Sequence, residues 1–366
     1  MTGSARRSPF LVLAAVLVTT MAALTVTEIM LRVINPIPLS GIHYAPCNLT
    51  PSREFKALYI PNSRDRHTRL NEYDLDFVIN NLGFHDRNRV PSQHGTFRIA
   101  VVGDSFTAAR QVEIDETWTR RLEELLRGKL SKPAEVINLG ISGTGTAVHA
   151  RIVEKYASLL RPDLFIHVYT IGDKQDDSLP GLVNECHRNF LLTYQDPAAR
   201  RPLIERADEI SRNGWWGAVV AWSFAARAIN YHAGWWPTTN VLRQSDLGFE
   251  WRIDRSAIQT VLRLNQMKKA VTAAGGKFVT MPMPLKGLGS ASEPIPVDSR
   301  EEVSADLKAA DITMIDIRDA LFAEARRRGV ATKSFFWKFD GHYNVEGNDA
   351  LGNVVADHLV RQGWVK

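Results

Sequence analysis

Hydrophobic and polar positions divide the chain into stretches of different character. The first is an uncharged run of 20 residues, Ser8 to Thr27, with Arg6 and Arg7 just before it. Coiled as a helix, a run of that length spans about 30 Å, one bilayer hydrocarbon core. The positive-inside rule holds the Arg pair in the cytoplasm and exports the remainder. Residues 1–32 therefore read as a single-pass membrane anchor. A cleaved signal sequence is one alternative, although its apolar region usually runs about 7–15 residues and "MAAL" is only a loose cut site; a buried core helix is the other, disfavoured at an extreme N-terminus beside an Arg pair.

Residues 33–95 are rich in Pro, Asn and Arg and weakly periodic, so they read as an extended lead-in. From Phe97 the pattern becomes an alternation. "FRIAVVG" is a compact apolar run closed by Gly, as a strand buried on both faces requires. "DETWTRRLEELLRGKL" follows with Trp118, Leu122, Leu125 and Leu126 at helical spacing, a pattern that extends to Leu130. "EVINLG", "RPDLFIHVYTIG", "KFVTMPM" and "ITMIDI" supply further strands. "TAVHARIVEKYASLL", "IQTVLRLNQMKKAVTAAGG", "DALFAEARRRG" and "NDALGNVVADHLVRQG" supply helices. Strands and helices in alternation predict an α/β fold, a five-stranded, mainly parallel sheet with helices on both faces, over residues 96–366. Residues 178–256 interrupt the alternation and read as a helical insertion, within which "NGWWGAVVAWSFAARAINYHAGWWPTT" holds five of the nine tryptophans. Those rings either pack into a subdomain core or form a substrate wall or membrane-interface face.

Composition narrows the classes. With 45% hydrophobic and 23% charged residues, the chain is neither disordered nor a multi-span membrane protein. A net charge of +5, with Lys and Arg scattered and no recognisable motif, argues against a nucleic-acid partner. Cys47 and Cys186 permit one disulfide, and no Cys/His spacing suggests a zinc site.

In parallel α/β sheets, sites form beyond the carboxyl ends of the strands. "GDSF" lies there after the first strand, "GISGTGT" after the second and "IGDKQDD" after the third. Ser105 of "GDSF" becomes a nucleophile only if a base removes its proton. His342, in "FDGHYNVEG" just before the last helix, is the best candidate, with Asp340 two residues earlier able to orient the imidazole. The backbone amides of Ser105 and Gly143 are candidate donors to an oxyanion, and removing one such donor typically slows acyl transfer by about 10²–10³.

These blocks together resemble the SGNH/GDSL hydrolase family. "GDSF" (103–106) matches the nucleophile block, "NLGISG" (138–143) the glycine block, "YTIGD" (169–173) the third block and "DGHYNVEG" (340–347) the Asp/His block. "NNLGFHD" (80–86) is similar to a lead-in found in membrane-anchored bacterial members. The resemblance implies a three-layer α/β/α sandwich and a Ser105/His342/Asp340 triad. It also implies ester hydrolysis or acyl transfer, with no metal or organic cofactor. Two departures stand out. Asp340 and His342 are spaced by two rather than three, a form shared by members similar to polysaccharide acetylation proteins. Asp173 replaces an Asn whose amide donates to the oxyanion. Three accounts of Asp173 are open: it is protonated by burial, it faces away while Lys174 or Gln175 contributes, or the site is impaired.

The expected function is that of an extracytoplasmic, periplasmic serine esterase or O-acyltransferase, tethered to the membrane and acting on an acylated glycan or envelope ester. The competing expectation is a catalytically impaired protein of the same fold acting in glycan binding or envelope assembly.

Overall fold

In the computed structural model the described residues are 9–34, 49–52, 55–69, 72–91, 95–173, 182–183, 223, 225, 242–243, 260–286, 299–338 and 340–365. Most of the insertion expected at 178–256, its tryptophans, both cysteines, Lys174 and Gln175 lie outside them.

Helix α1 (Pro9–Ile34) is apolar, unburied, and long enough to cross a membrane. Thr19, Thr25 and Thr27 donate to the carbonyls of Ala15, Met21 and Ala23, at 2.8, 2.9 and 2.9 Å, local bonds made within the helix itself.

The lead-in is more than a spacer. Strands β1 (Leu49–Ser52) and β2 (Lys56–Tyr59) form one antiparallel pair, β3 (Arg64–Arg69) and β4 (Tyr73–Val78) another. Along β4, Tyr73, Leu75 and Phe77 are buried while Asp74 and Asp76 are exposed, the period-2 pattern of a half-buried strand. The following "NNLGFHD" turn is built around Asn80, whose Oδ1 accepts from the amides of Leu82 and Phe84 at 2.9 and 3.0 Å. Phe55, Tyr59, Phe77, Ile79 and Phe84 share one core with Ala100, Val102, Ile137 and Phe165 of the main sheet.

That sheet is parallel throughout, in the order β11 (Thr313–Met314), β10 (Lys277–Pro282), β7 (Leu164–Tyr169), β5 (Phe97–Gly103), β6 (Ala134–Gly140). Two further short strands, β8 (Leu182–Val183) and β9 (Leu242–Arg243), pair with each other. Helices α4 (Thr146–Leu160), α5 (Thr260–Ala273) and α6 (Ser299–Ala309) cover one face of the main sheet with the hairpins. Helices α3 (Trp118–Arg127), α7 (Arg318–Arg328) and α8 (Val345–Arg361) cover the other. The expected sandwich is thus the observed one; α6 is an addition, burying Val303 and Leu307 behind an acidic first turn.

A buried ionic cluster ties lead-in to sandwich. Arg89 grips both oxygens of Asp86, each at 2.9 Å, and donates to Val136 O at 2.7 Å, with Glu123 Oε2 at 3.4 Å. Burial pushes the Asp86 carboxyl up while Arg89 opposes that shift. Arg89→Ala would leave the buried Asp86 carboxylate without its cation, whereas Glu123 keeps Arg120 and Arg127, and it is expected to cost about 3–5 kcal/mol of stability in denaturant unfolding of the full chain. A double variant, Asp86→Ala with Arg89→Ala, should cost less than the sum of the singles.

Candidate active site

Strand β5 ends at Gly103 and the chain turns at once into the single-turn helix α2 (Ser105–Ala108). Gly103 is required there, because a Cβ would lie 2.2 Å from Thr107 Oγ1. Asp104 caps the turn, its Oδ1 accepting from Phe106 N at 2.9 Å. Ser105 is thereby held, half-buried, at the carboxyl edge of the sheet.

The histidine arrives from the far end of the chain. A tight turn through Gly341, at φ +91°, brings His342 back so that its carbonyl accepts from Trp337 N at 2.9 Å. Asn344 then caps α8, accepting from Gly347 N at 2.9 Å. The result is a continuous hydrogen-bonded chain. His342 Nε2 lies 2.8 Å from Ser105 Oγ, and His342 Nδ1 contacts Asp340 Oδ1. The His342 amide donates to the same carboxylate oxygen at 3.2 Å, and the Phe106 ring packs 4.6 Å from the imidazole. The side chains of His342 and Asp340 are 21% and 9% exposed, so Asp340 is the shielded member and His342 remains reachable.

Two residues that the sequence reading missed complete this arrangement. Tyr73 of β4 donates its hydroxyl to Asp340 Oδ2 at 2.9 Å, and Glu72 Oε2 accepts from the Asp340 amide at 3.0 Å. The alternation around Tyr73 was available as a signal that this ring points inward. Nothing in the sequence linked it to a carboxylate 267 residues away.

The other oxyanion candidates divide. Gly143 sits in the loop after β6 at φ +70°, with open space where a Cβ would point. The loop lies beside the nucleophile turn, since Ile141 N donates to Gly103 O at 3.0 Å. Asp173 is different: it is fully buried and its carboxylate turns into the domain. Its Oδ2 accepts from Thr146 Oγ1 at 3.1 Å and its Oδ1 lies 2.9 Å from Thr170 Oγ1. Thr170 Oγ1 in turn lies 2.8 Å from Asp104 Oδ2. Behind Asp173 are two fully buried histidines, His149 on α4 and His167 on β7, whose Nδ1 and Nε2 are 3.2 Å apart. Among the described residues, His149, His167 and Asp173 form the one His/Cys/Asp/Glu group spaced to hold a metal ion, which the sequence reading did not anticipate.

Burial pushes His149 well below its ordinary range and His167 down to about 3, so both are neutral in the folded chain near neutral pH. Unfolded, each binds a proton below about 6.5, so the unfolded state holds more protons and stability falls as pH drops. The expected loss is about 1.4 kcal/mol per pH unit for each histidine below that value. Denaturant unfolding of the parent at pH 7 and pH 5 measures it, and His167→Gln should lose about half as much over the same interval.

No family model and no curated protein matches the chain. Solved structures that it is similar to include a lipase/acylhydrolase from Enterococcus faecalis, at 14% identity and a TM-score of 0.39, covering 74% of this chain and 97% of that one. An acetyl xylan esterase, AlAXEase, is 12% identical with a TM-score of 0.39, covering 73% and 99%. The psychrotrophic esterase EstA from Pseudoalteromonas sp. is 11% identical with a TM-score of 0.37, covering 72% and 97%. In its parallel α/β/α sandwich, its ordered blocks and the serine, histidine and aspartate they bring together, the chain resembles the SGNH/GDSL hydrolases.

Proposed function

We propose that this chain is a membrane-tethered serine esterase that cleaves an acyl ester through Ser105, His342 and Asp340. The observation that carries the reading is the relay itself: Ser105 Oγ within 2.8 Å of an imidazole whose other nitrogen rests on a shielded carboxylate. In such a relay the Ser105 oxygen attacks the acyl carbonyl carbon while its proton passes to His342 Nε2. The amides of Ser105 and Gly143 donate to the oxyanion. The ester C–O bond then breaks, and the departing alcohol takes the proton from His342. Water attacks the acyl-enzyme in turn, giving its proton to His342, and the acid leaves as the serine is restored. If a sugar hydroxyl takes the place of that water, the same steps transfer the acyl group.

Helix α1 supports a location at the membrane with the domain outside the cytoplasm, and that location favours an acylated glycan or envelope ester over a free metabolite. The impaired reading rested on a carboxylate repelling the oxyanion. The inward turn of Asp173 removes that motive for it.

A fluorophosphonate labels only an activated serine, so the full-length protein is expected to be labelled and Ser105→Ala is not. Ser105→Ala and His342→Ala should each abolish turnover of an activated ester, and Asp340→Asn should lower it by about 10⁴. Wild-type turnover by Ser105→Ala would sink the mechanism. Tyr73→Phe removes one hydrogen bond to the orienting carboxylate and should slow kcat by about tenfold or more at unchanged KM. For topology, a reporter active only outside the cytoplasm should work when fused after Lys366.

A further inference from the structure

Thr170 stands between two carboxyl groups. Its hydroxyl oxygen is 2.8 Å from Asp104 Oδ2 and 2.9 Å from Asp173 Oδ1, both hydrogen-bonding separations. A hydroxyl carries a single proton, so Thr170 serves both oxygens fully only if it donates to one and accepts from the other. Ionised carboxylates only accept. That arrangement needs one of the two acids to bring a proton of its own.

The surroundings decide which. Asp104 is 5% exposed and holds the amide of Phe106 at 2.9 Å, a contact that favours the anion. Asp173 has no exposure; its Oδ2 accepts from the neutral hydroxyl of Thr146, and the Thr170 amide reaches its Oδ1 only at 3.4 Å. Complete burial favours the neutral form of a carboxyl group. Among the described residues the titratable groups facing Asp173 are Asp104, His149 from α4, and His167 and Tyr169 from β7. Glu302 of α6 lies behind them, accepting from Tyr169 Oη at 2.7 Å.

The histidines close their own hydrogen bonds without the carboxyl. The Thr144 proton is committed to Ile141 O at 2.6 Å, so His149 Nε2 donates to Thr144 Oγ1 at 3.2 Å. His149 Nδ1 then accepts from His167 Nε2 at 3.2 Å, and His167 Nδ1 accepts from Thr280 Oγ1 at 3.4 Å. Both rings are satisfied in neutral form, which matches their burial.

We propose that Asp173 is a neutral carboxylic acid and a positioning residue for the nucleophile. Its proton, on Oδ1, is donated to Thr170 Oγ1. Thr170 donates to Asp104 Oδ2, and Asp104 caps the turn that carries Ser105. The positioning role rests on the esterase reading; the proton assignment does not. Were Asp173 ionised, the single proton of Thr170 would be contested and Asp104 would lose its inner anchor. The strongest rival is a cation bound by His149 Nδ1, His167 Nε2 and Asp173 Oδ2, atoms separated by 3.2, 3.6 and 3.9 Å. Those spacings suit ligands about 2.0–2.2 Å from a tetrahedral ion, and such an ion would require the carboxylate.

The test uses full-length protein in detergent. Infrared spectra with and without ¹³C-labelled aspartate should show a protonated carboxyl band at pH 7 that Asp173→Asn removes. That amide can donate to Thr170 and accept from Thr146 as the acid does. Asp173→Asn is therefore expected to hold kcat on an activated ester within about threefold of the parent at pH 7, whereas Asp173→Ala loses about tenfold or more at unchanged KM. The parent's kcat should decline at alkaline pH as Asp173 ionises, and the Asn variant should lack that decline. Absence of the band, an Asn variant as slow as the Ala variant, or one equivalent of a transition metal lost with Asp173→Asn would each overturn the proposal. If Ser105→Ala keeps full ester turnover, the esterase reading and the positioning role fail together, while the infrared band still decides the proton.

Discussion

Helix α2 rests on Gly140 with no room for a side chain between them. A Cβ at that position would come within 2.3 Å of Ala108 N and 2.6 Å of the Thr107 carbonyl carbon. Four residues of helix have little stability of their own, so this contact and its hydrogen bonds hold the turn. Asn138, two residues before Gly140, donates to Thr107 O at 2.7 Å and accepts from Gly140 N at 2.9 Å. The glycine and asparagine of "NLG" thus act on the nucleophile turn through backbone contact, and they set the height at which Ser105 meets His342. The histidine side is fixed by the same means. A Cβ at Gly347 would lie 2.0 Å from Phe335 O, so the start of α8 packs directly on the segment that leads into the Asp340–His342 turn.

Asp340 is held from outside the sandwich. Its side chain is oriented by Tyr73 and its amide by Glu72, both belonging to the lead-in. The Tyr73 ring also packs 4.8 Å from His67 and 5.5 Å from Trp337. The carboxylate that steadies the imidazole therefore depends on a hairpin located between α1 and the sandwich. Because Phe55, Phe77 and Phe84 share the core of the main sheet, that hairpin cannot swing away without opening the core.

The sandwich was legible because buried parallel strands write themselves as continuous apolar runs and their helices as 3.6-residue stripes. The sequence stretch for α4 coincides with the helix, Thr146–Leu160, and "FRIAVVG" with β5. The serine, histidine and aspartate were legible because their chemistry demands those residue types at strand ends. The hairpins were missed because β1 to β4 are only four to six residues long and β4 carries Asp74 and Asp76 on its outer face, so composition masked the alternation of Tyr73, Leu75 and Phe77. Helix α6 was passed over for a similar reason: two glutamates in its first turn hid the Val303 and Leu307 stripe. Contacts such as Tyr73 with Asp340 have no local signature, since they arise from where distant elements dock.

Asp173 shows a different limit. A letter in a sequence specifies a side chain but not its protonation, and an acid in the place of an amide reads as a reversal of hydrogen-bonding character. Burial alters that reading. A carboxyl group with no exposure, beside a hydroxyl already shared with another acid, is more stable with its proton on, and it then offers one donor and one acceptor. That is the pattern an asparagine would present to Thr170 and Thr146. The neighbouring histidines obey the same rule, staying neutral because a charge in that layer would be desolvated. A buried polar layer of this kind tolerates an exchange of acid for amide so long as every donor still finds an acceptor. An acid at position 173 thereby differs from an amide in chemical element while serving the same two hydroxyl partners.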